Sequence, residues 1–386
     1  MSPRTRKRRL WPWIAGGALA LLAIGGLVAW RTVASAYRQY YEGAYAPIRL
    51  AAGHIDDYPP EHHLDDIPWI AASFPVCQST ALQMIAAQHG IEQPRRYFDF
   101  LMGFTYGASE VPRYGFFPYG TDPETGMRVA APYLGLERAY YVADDGPLYL
   151  AGLRAYLASG YAVRVPLDMA ALYSKKGPTP HNEVLVGYDG EGFYYYETVC
   201  MSPASCEPGV RPPGERGMYV SDDVLLRAVH GQSRVFAYPW RYAFTVFEPT
   251  PVERDLGPVW TQNGQALVGG LYYGKRVGAV AVEGLAEQIE KQGPRFDVSR
   301  ARFGLETAVQ VRPDNVTYLR EGFPGQPDIA RAADLLHRAV DGYRAALEAI
   351  EDGIADEAEA AQIAEWLRDV AAAEREAGEI LLEQAQ

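Results

Sequence analysis

Three side chains in this sequence have the types and placing to do chemistry together: the thiol of Cys77, the imidazole of His181 and the carboxylate of Glu197. Cys77 stands in F-P-V-C-Q-S-T-A-L-Q-M-I-A-A-Q-H-G, residues 74–90, where Ala81, Leu82, Ile85 and Ala86 recur three and four apart. That period predicts a helix with one stripe turned to a core. Pro75 keeps the helix from starting earlier and Gly90 ends it. The thiol therefore falls in the first turn, where unpaired N–H groups and the helix dipole favour a negative sulfur. Gln78 follows directly and, with the N–H of Cys77, is the candidate donor to an oxyanion.

The other two groups sit on one ribbon. H-N-E-V-L-V-G-Y-D-G-E-G-F-Y-Y-Y-E-T, from His181 to Thr198, reads as a β-hairpin. Its first arm is Val184 to Tyr188, its turn carries Asp189-Gly190 and Gly192, and its second arm is Phe193 to Thr198. His181 opens the first arm and Glu197 closes the second. In an antiparallel pair both then fall at the same end. A carboxylate there orients the imidazole, which can take the proton of a thiol: the logic of nucleophilic catalysis.

The order Cys77, His181, Glu197, with His181 leading into Gly187-Tyr188-Asp189, resembles the papain-like cysteine enzymes of the bacteriocin-processing (double-glycine leader) peptidase type. It is also similar to the N-terminal domain of butirosin-biosynthesis protein H, which transfers acyl groups instead of cutting peptides. The resemblance spans Pro68 to Pro249. It implies an α+β, papain-like cysteine peptidase fold and a thioester formed on Cys77, with His181 as general base and Glu197 as its orienter. The substrate it implies is a peptide or another acyl donor. Two positions depart from the pattern. The third member is usually Asp, and the stretch Ala71 to Val76 lacks the Gln that such peptidases place before the cysteine.

Three cysteines are present. Cys200 and Cys206 flank a short loop and suit a disulfide in an exported protein, which leaves Cys77 as the odd thiol. The bland alternative is three reduced cysteines with Cys77 as a small apolar core residue. Glu61-His62-His63-Leu64-Asp65-Asp66 is rich in metal-friendly groups, yet adjacent histidines on a loop fix no ligand geometry. A solvated loop is expected there, and neither a metal nor a cofactor is expected anywhere.

Export is read from the beginning of the chain. Residues 1–10 hold five basic residues and no acid, and Trp11 to Trp30 carries no charge. Such a run spans about 30 Å as a helix, the thickness of a bilayer's hydrocarbon core. Tryptophans at its ends and the basic cluster before it predict one retained membrane anchor, N-terminus in the cytoplasm and body outside. A cleaved signal peptide, with Ala34-Ser35-Ala36 as its site, is the competing reading. The net charge is −12, and setting aside the five basic residues of the tail leaves the remainder more negative still, a poor fit to nucleic acid.

The elements that must position the site follow. Helices are expected over Arg95–Gly107, Met127–Leu134, Leu148–Ser159 and Ser221–Val229, the last closed by His230. Strands are expected over Tyr161–Met169 and Arg241–Glu248. Thr105–Pro123, rich in Gly, Pro and aromatics, reads as an overhanging loop. The boundaries are 1–10 basic tail, 11–30 anchor, 31–67 stalk, 68–250 catalytic domain and 251–386 helical region. In the last, Gly278–Ile289, Ile329–Ile350 and the stripe Ile363 to Leu381 have helical periods, the final two forming an antiparallel hairpin. That hairpin is a possible partner surface. Besides the enzyme, two other readings stand: an inactive binding module on the same fold, and a scaffold that presents the terminal helices.

Overall fold

Period-two alternation in the middle of the chain and 3.6-residue periodicity at its end divide the protein into a sheet part and a helical part. The computed structural model describes residues 31–32, 35–55, 57–73, 75–111, 115–174, 176–199, 216–272 and 275–386. The expected anchor at 11–30 and the pair Cys200 and Cys206 lie outside these residues. Within them, no helix is long and apolar enough to cross a membrane.

The segment expected as a stalk is built into the fold. Residues 35–45 form helix α1, on which Tyr37, Tyr41 and Tyr45 recur every fourth position and so share a face. Tyr41 and Tyr45 bury against Tyr140, Val142, Trp240 and Ala243, and Tyr45 Oη donates to Asp122 at 2.6 Å. Strand β1 (Ile48–Arg49) then pairs in parallel with Tyr141 and Val142. Strand β2 (His62–His63) pairs with Tyr188 and Gly187, which corrects the solvated-loop expectation for the two histidines. His63 lies between Asp65 and the carbonyl of Arg216, 3.0 and 2.9 Å away.

Helix α2 (Cys77–Gln88) begins at the thiol, as its periodicity requires. Ala81, Leu82, Ile85 and Ala86 are all buried, and each larger apolar side chain contributes about 1.5–3 kcal/mol by leaving water. Helix α3 (Arg95–Met102) ends at Gly103, whose left-handed φ of 59° stops it short of the expected Gly107. The stretch read as an overhanging loop is a short hairpin, β3 (Ser109–Val111) and β4 (Gly115–Phe117). There follow α4 (Pro123–Tyr133), β5 (Leu136–Ala143), α5 (Gly146–Ala158), β6 (Val163–Asp168) and the single turn α6 (Met169–Leu172). The predicted hairpin is β7 (Pro180–Tyr188) and β8 (Gly192–Glu197). Next are β9 (Met218–Ser221), α7 (Asp222–Val235) and β10 (Tyr242–Pro249). His230 therefore lies inside α7 instead of closing it. Gly231, which follows it, is an interior glycine of α7, and a Cβ there would meet Asp168 Cβ at 3.0 Å.

Among the described residues these strands form an eight-stranded mixed sheet, ordered β1-β5-β10-β6-β7-β8-β9 with β2 on β7. Helix α2 packs on β7, and α7 packs on β6 and against α6. The architecture is α+β, as expected. Two helices of the C-terminal region were not expected: α8 (Gly257–Val268) and α10 (Ser299–Gly322). Between them lie β11 (Gly270–Tyr272), β12 (Lys275–Val277) and α9 (Ala279–Gln292). The expected helical hairpin is α11 (Pro327–Ala349) and α12 (Glu357–Glu383), and α12 packs against α8, α9 and α11. A second sheet, β11-β12-β3-β4, joins this region to the hairpin that precedes α4.

Candidate active site

Helix α2 starts with no side-chain cap, since its cap residue is Val76. The backbone donors of its first turn consequently remain for a negative group beside Cys77. Cys77 carries a free thiol and is 9% exposed, so a reactant has only a narrow approach. Asn182 fixes the helix start by donating Nδ2–H to the carbonyl of Cys77 at 3.0 Å. Its own Oδ1 accepts from Arg164 Nε at 3.1 Å.

Arg164 is the hub of a buried polar network behind the thiol. It pairs with Glu124, donates to Thr245 Oγ1 at 3.3 Å and to Gln78 Oε1 at 2.5 Å. Arg138 pairs with the other oxygen of Glu124 at 2.6 Å. Burial alone would raise the carboxyl of Glu124, but the two guanidiniums hold it below the usual range. Gln78 is thus gripped through its carbonyl by a core arginine. Its place is in the support of α2, and no contact puts its amide at the sulfur.

His181 is 5% exposed. Its Nε2 lies 2.6 Å from Glu197 Oε1 and 3.3 Å from Thr198 Oγ1. Its ring stands near enough to Cys77 to feel the charge of the sulfur. With Nε2 occupied by the carboxylate, Nδ1 is the nitrogen left to serve the thiol. Burial opposes a charge on this ring, yet the Cys77 sulfur, then Glu183 and the Glu197 hydrogen bond, raise it well above the ordinary histidine value.

Glu197 is held from several sides. Its Oε1 also accepts from the N–H groups of Thr198 and Val199 at 3.0 and 3.2 Å, and its Oε2 from Tyr173 Oη at 2.6 Å. Trp69 Nε1 donates to its backbone carbonyl at 3.0 Å. Burial would raise this carboxyl, but the hydrogen bond and charge of His181, with Glu183 and Tyr173, bring it down to about 2. The register explains the length of the side chain: Glu197 sits directly opposite Glu183, not His181. It reaches the ring along a diagonal of the ladder, a path open to long side chains.

His181 and Glu197 therefore meet, with Cys77 near enough to act on the ring electrostatically, and Gln78 stands behind them in a supporting place. Sequence reading missed Glu183, fully buried on the same face of β7, with Oε1 3.4 Å from His181 Nε2. The signal was present: a residue two along from His181 in a strand shares its face. The ligand atoms of His181, Glu183 and Glu197 lie within 4.8 Å of one another, a spacing that could hold a metal ion. However, His181 Nε2 and Glu197 Oε1 are 2.6 Å apart, whereas two ligands of one tetrahedral zinc stand about 3.3 Å apart. The spacing is that of a hydrogen bond.

Tyr119 lies over the start of α2, donating its hydroxyl to the carbonyl of Pro75 and stacking on Phe104 at 4.5 Å. Comparison with known protein families and with curated proteins finds no match for this chain.

Proposed function

We propose that this chain is a papain-like thiol enzyme, membrane-anchored and exported, that acts on a peptide or other acyl donor through a thioester on Cys77. The observation that carries this reading is the buried His181–Glu197 pair at 2.6 Å, set near a free thiol at an uncapped helix start. An imidazolium beside a thiol is the arrangement that generates a nucleophilic thiolate.

In the first step the Cys77 sulfur attacks the acyl carbon and its electron pair forms the C–S bond. The carbonyl electrons move to oxygen, where the free N–H groups of the first turn of α2 receive the charge. Collapse breaks the bond to the leaving group, which takes its proton from His181. In the second step His181 removes a proton from water, or from an amine, which attacks the thioester and returns the thiol. Water makes the enzyme a hydrolase or peptidase; an amine makes it an acyltransferase of the butirosin protein H type. Gln78 is proposed to support α2 through Arg164 and not to donate to the oxyanion.

The test is covalent labelling of the full-length chain with iodoacetamide, a probe small enough for a narrow approach. Rapid labelling of Cys77 near neutral pH, slowed at least about tenfold in His181→Ala, is the expected result. Equal labelling of the two proteins would leave the inactive binding module or the scaffold as the better reading.

A further inference from the structure

Glu183 is the buried group that the proposed mechanism does not use. It faces Glu197 directly across the β7–β8 ladder, and both side chains are sealed from solvent. Glu197 is saturated with donors: two backbone N–H groups, His181 Nε2 and Tyr173 Oη. Glu183 is the opposite case, since among the described residues neither of its oxygens has a hydrogen-bond partner, His181 Nε2 standing off at 3.4 Å. The charged or titratable groups around it are Glu197 and Tyr195 on β8, His181 on its own strand, Tyr173 beyond α6 and Cys77 on α2. Both tyrosines are held neutral by burial.

Two ionised carboxylates cannot share a sealed space with one imidazolium between them, whereas one proton between the two relieves the repulsion. A protonated Glu183 gains an O–H, and the acceptor it faces is Glu197. We propose that Glu183 is a positioning residue of this site: a carboxylic acid that donates its O–H to Glu197 and so steadies that carboxylate against His181. The proposal rests on the thiol-enzyme reading, because it is His181's service to Cys77 that Glu183 tunes. It also sets the charge His181 feels. One neighbouring carboxylate holds the ring as imidazolium, but two would bind its proton too tightly for release to a leaving group. Burial and the charge of Glu197 both act on Glu183 in the same direction, raising its carboxyl well above the ordinary range.

Two independent readouts on the full-length chain test this. The first is infrared difference spectroscopy at neutral pH, comparing the natural chain with Glu183→Gln. A carboxylic-acid C=O band that disappears in the variant is expected, and no such band would overturn the proposal. The second is the pH profile of Cys77 labelling by iodoacetamide. Glu183→Leu, which keeps the bulk and removes the donor, should move the acid limb up by about one pH unit, the loss of one hydrogen bond to a charged acceptor. Glu183→Gln, whose amide keeps a donor, should rescue most of that displacement. If Gln and Leu displace the profile equally, Glu183 carries a charge and the proposal fails; stoichiometric zinc retained by the natural chain and lost in both variants would do the same. Thermal melts confirm folding, and if the Leu variant does not fold the infrared band still decides. A band with an inert thiol would refute the enzyme and leave the shared proton standing; labelling without the band would do the reverse.

Discussion

His181 faces two carboxyl groups of different fates, and the fates follow from the donors each one meets. Glu197 collects four and is held down to about 2, whereas Glu183 meets none. In the proposed enzyme, His181→Ala should lower turnover by roughly 10²–10⁴-fold, the usual worth of a positioned acid–base group. Glu197→Gln should lower it less, since an amide still meets the ring but does not balance its charge; single-turnover acylation measures both. Glu197 also fixes a dependence on pH. Its folded value lies below the ordinary 4.5, so the unfolded chain binds the proton more readily. Its stabilising contribution is complete above about 4.5 and is lost as pH falls toward about 2. Acid unfolding monitored by circular dichroism should therefore be flatter over that window in Glu197→Gln than in the natural chain.

Helix α10 acts on the site at a distance through one side chain. Arg312 and Glu374 of α12 form an ion pair at 2.9 Å with both side chains fully buried. The same guanidinium donates to the carbonyls of Thr105 and Gly107, and to that of Pro118 at 3.3 Å. It thus ties the terminal helices to the turn before Tyr119, which in turn holds Pro75 beside the thiol. Gly107 is required in that turn: its φ is +87° and a Cβ would meet the carbonyl oxygen of Ala266 at 1.8 Å. Arg312→Met should cost about 3–5 kcal/mol in a denaturant titration, because it strands the Glu374 charge in the core. Tyr119→Phe should leave stability nearly unchanged and lower the rate of Cys77 labelling by a few-fold, by freeing Pro75, two residues before the thiol. Helix α10 escaped sequence reading because its buried face carries Arg312, Asn315 and Thr307 beside its apolar residues, and Pro313 interrupts its pattern.

At the scale of the molecule, sheet and helices are joined at both ends of the chain. Helix α1 closes the aromatic face of the sheet, where Tyr45 is 1% exposed and lies among Tyr140, Tyr238 and Trp240. Tyr45→Ala should therefore destabilise the whole domain by about 3–5 kcal/mol, the usual cost of removing a large buried ring. A lowered thermal midpoint measures it; a surface stalk would show none. In the proposed topology the body stands outside the membrane. A protease added to intact cells should reach it, and protection of the C-terminus would contradict both anchor and signal-peptide readings.

What the sequence determined by itself is local. Apolar spacing started α2 at Cys77, and turn chemistry closed the β7–β8 hairpin, because neighbours in the chain fix those geometries. Alternation also set His181 and Glu197 at one end of that ribbon. What the tertiary structure decided is everything that depends on register and on contact between distant segments. A ladder offset, with a bulge between Leu185 and Gly187, put Glu183 and not His181 opposite Glu197. Packing turned Gln78 toward Arg164, folded the supposed stalk onto the sheet and made a core clamp of Arg312. Polar residues carry no hydrophobic period, so whether they face water or a buried partner is settled only when the segments meet.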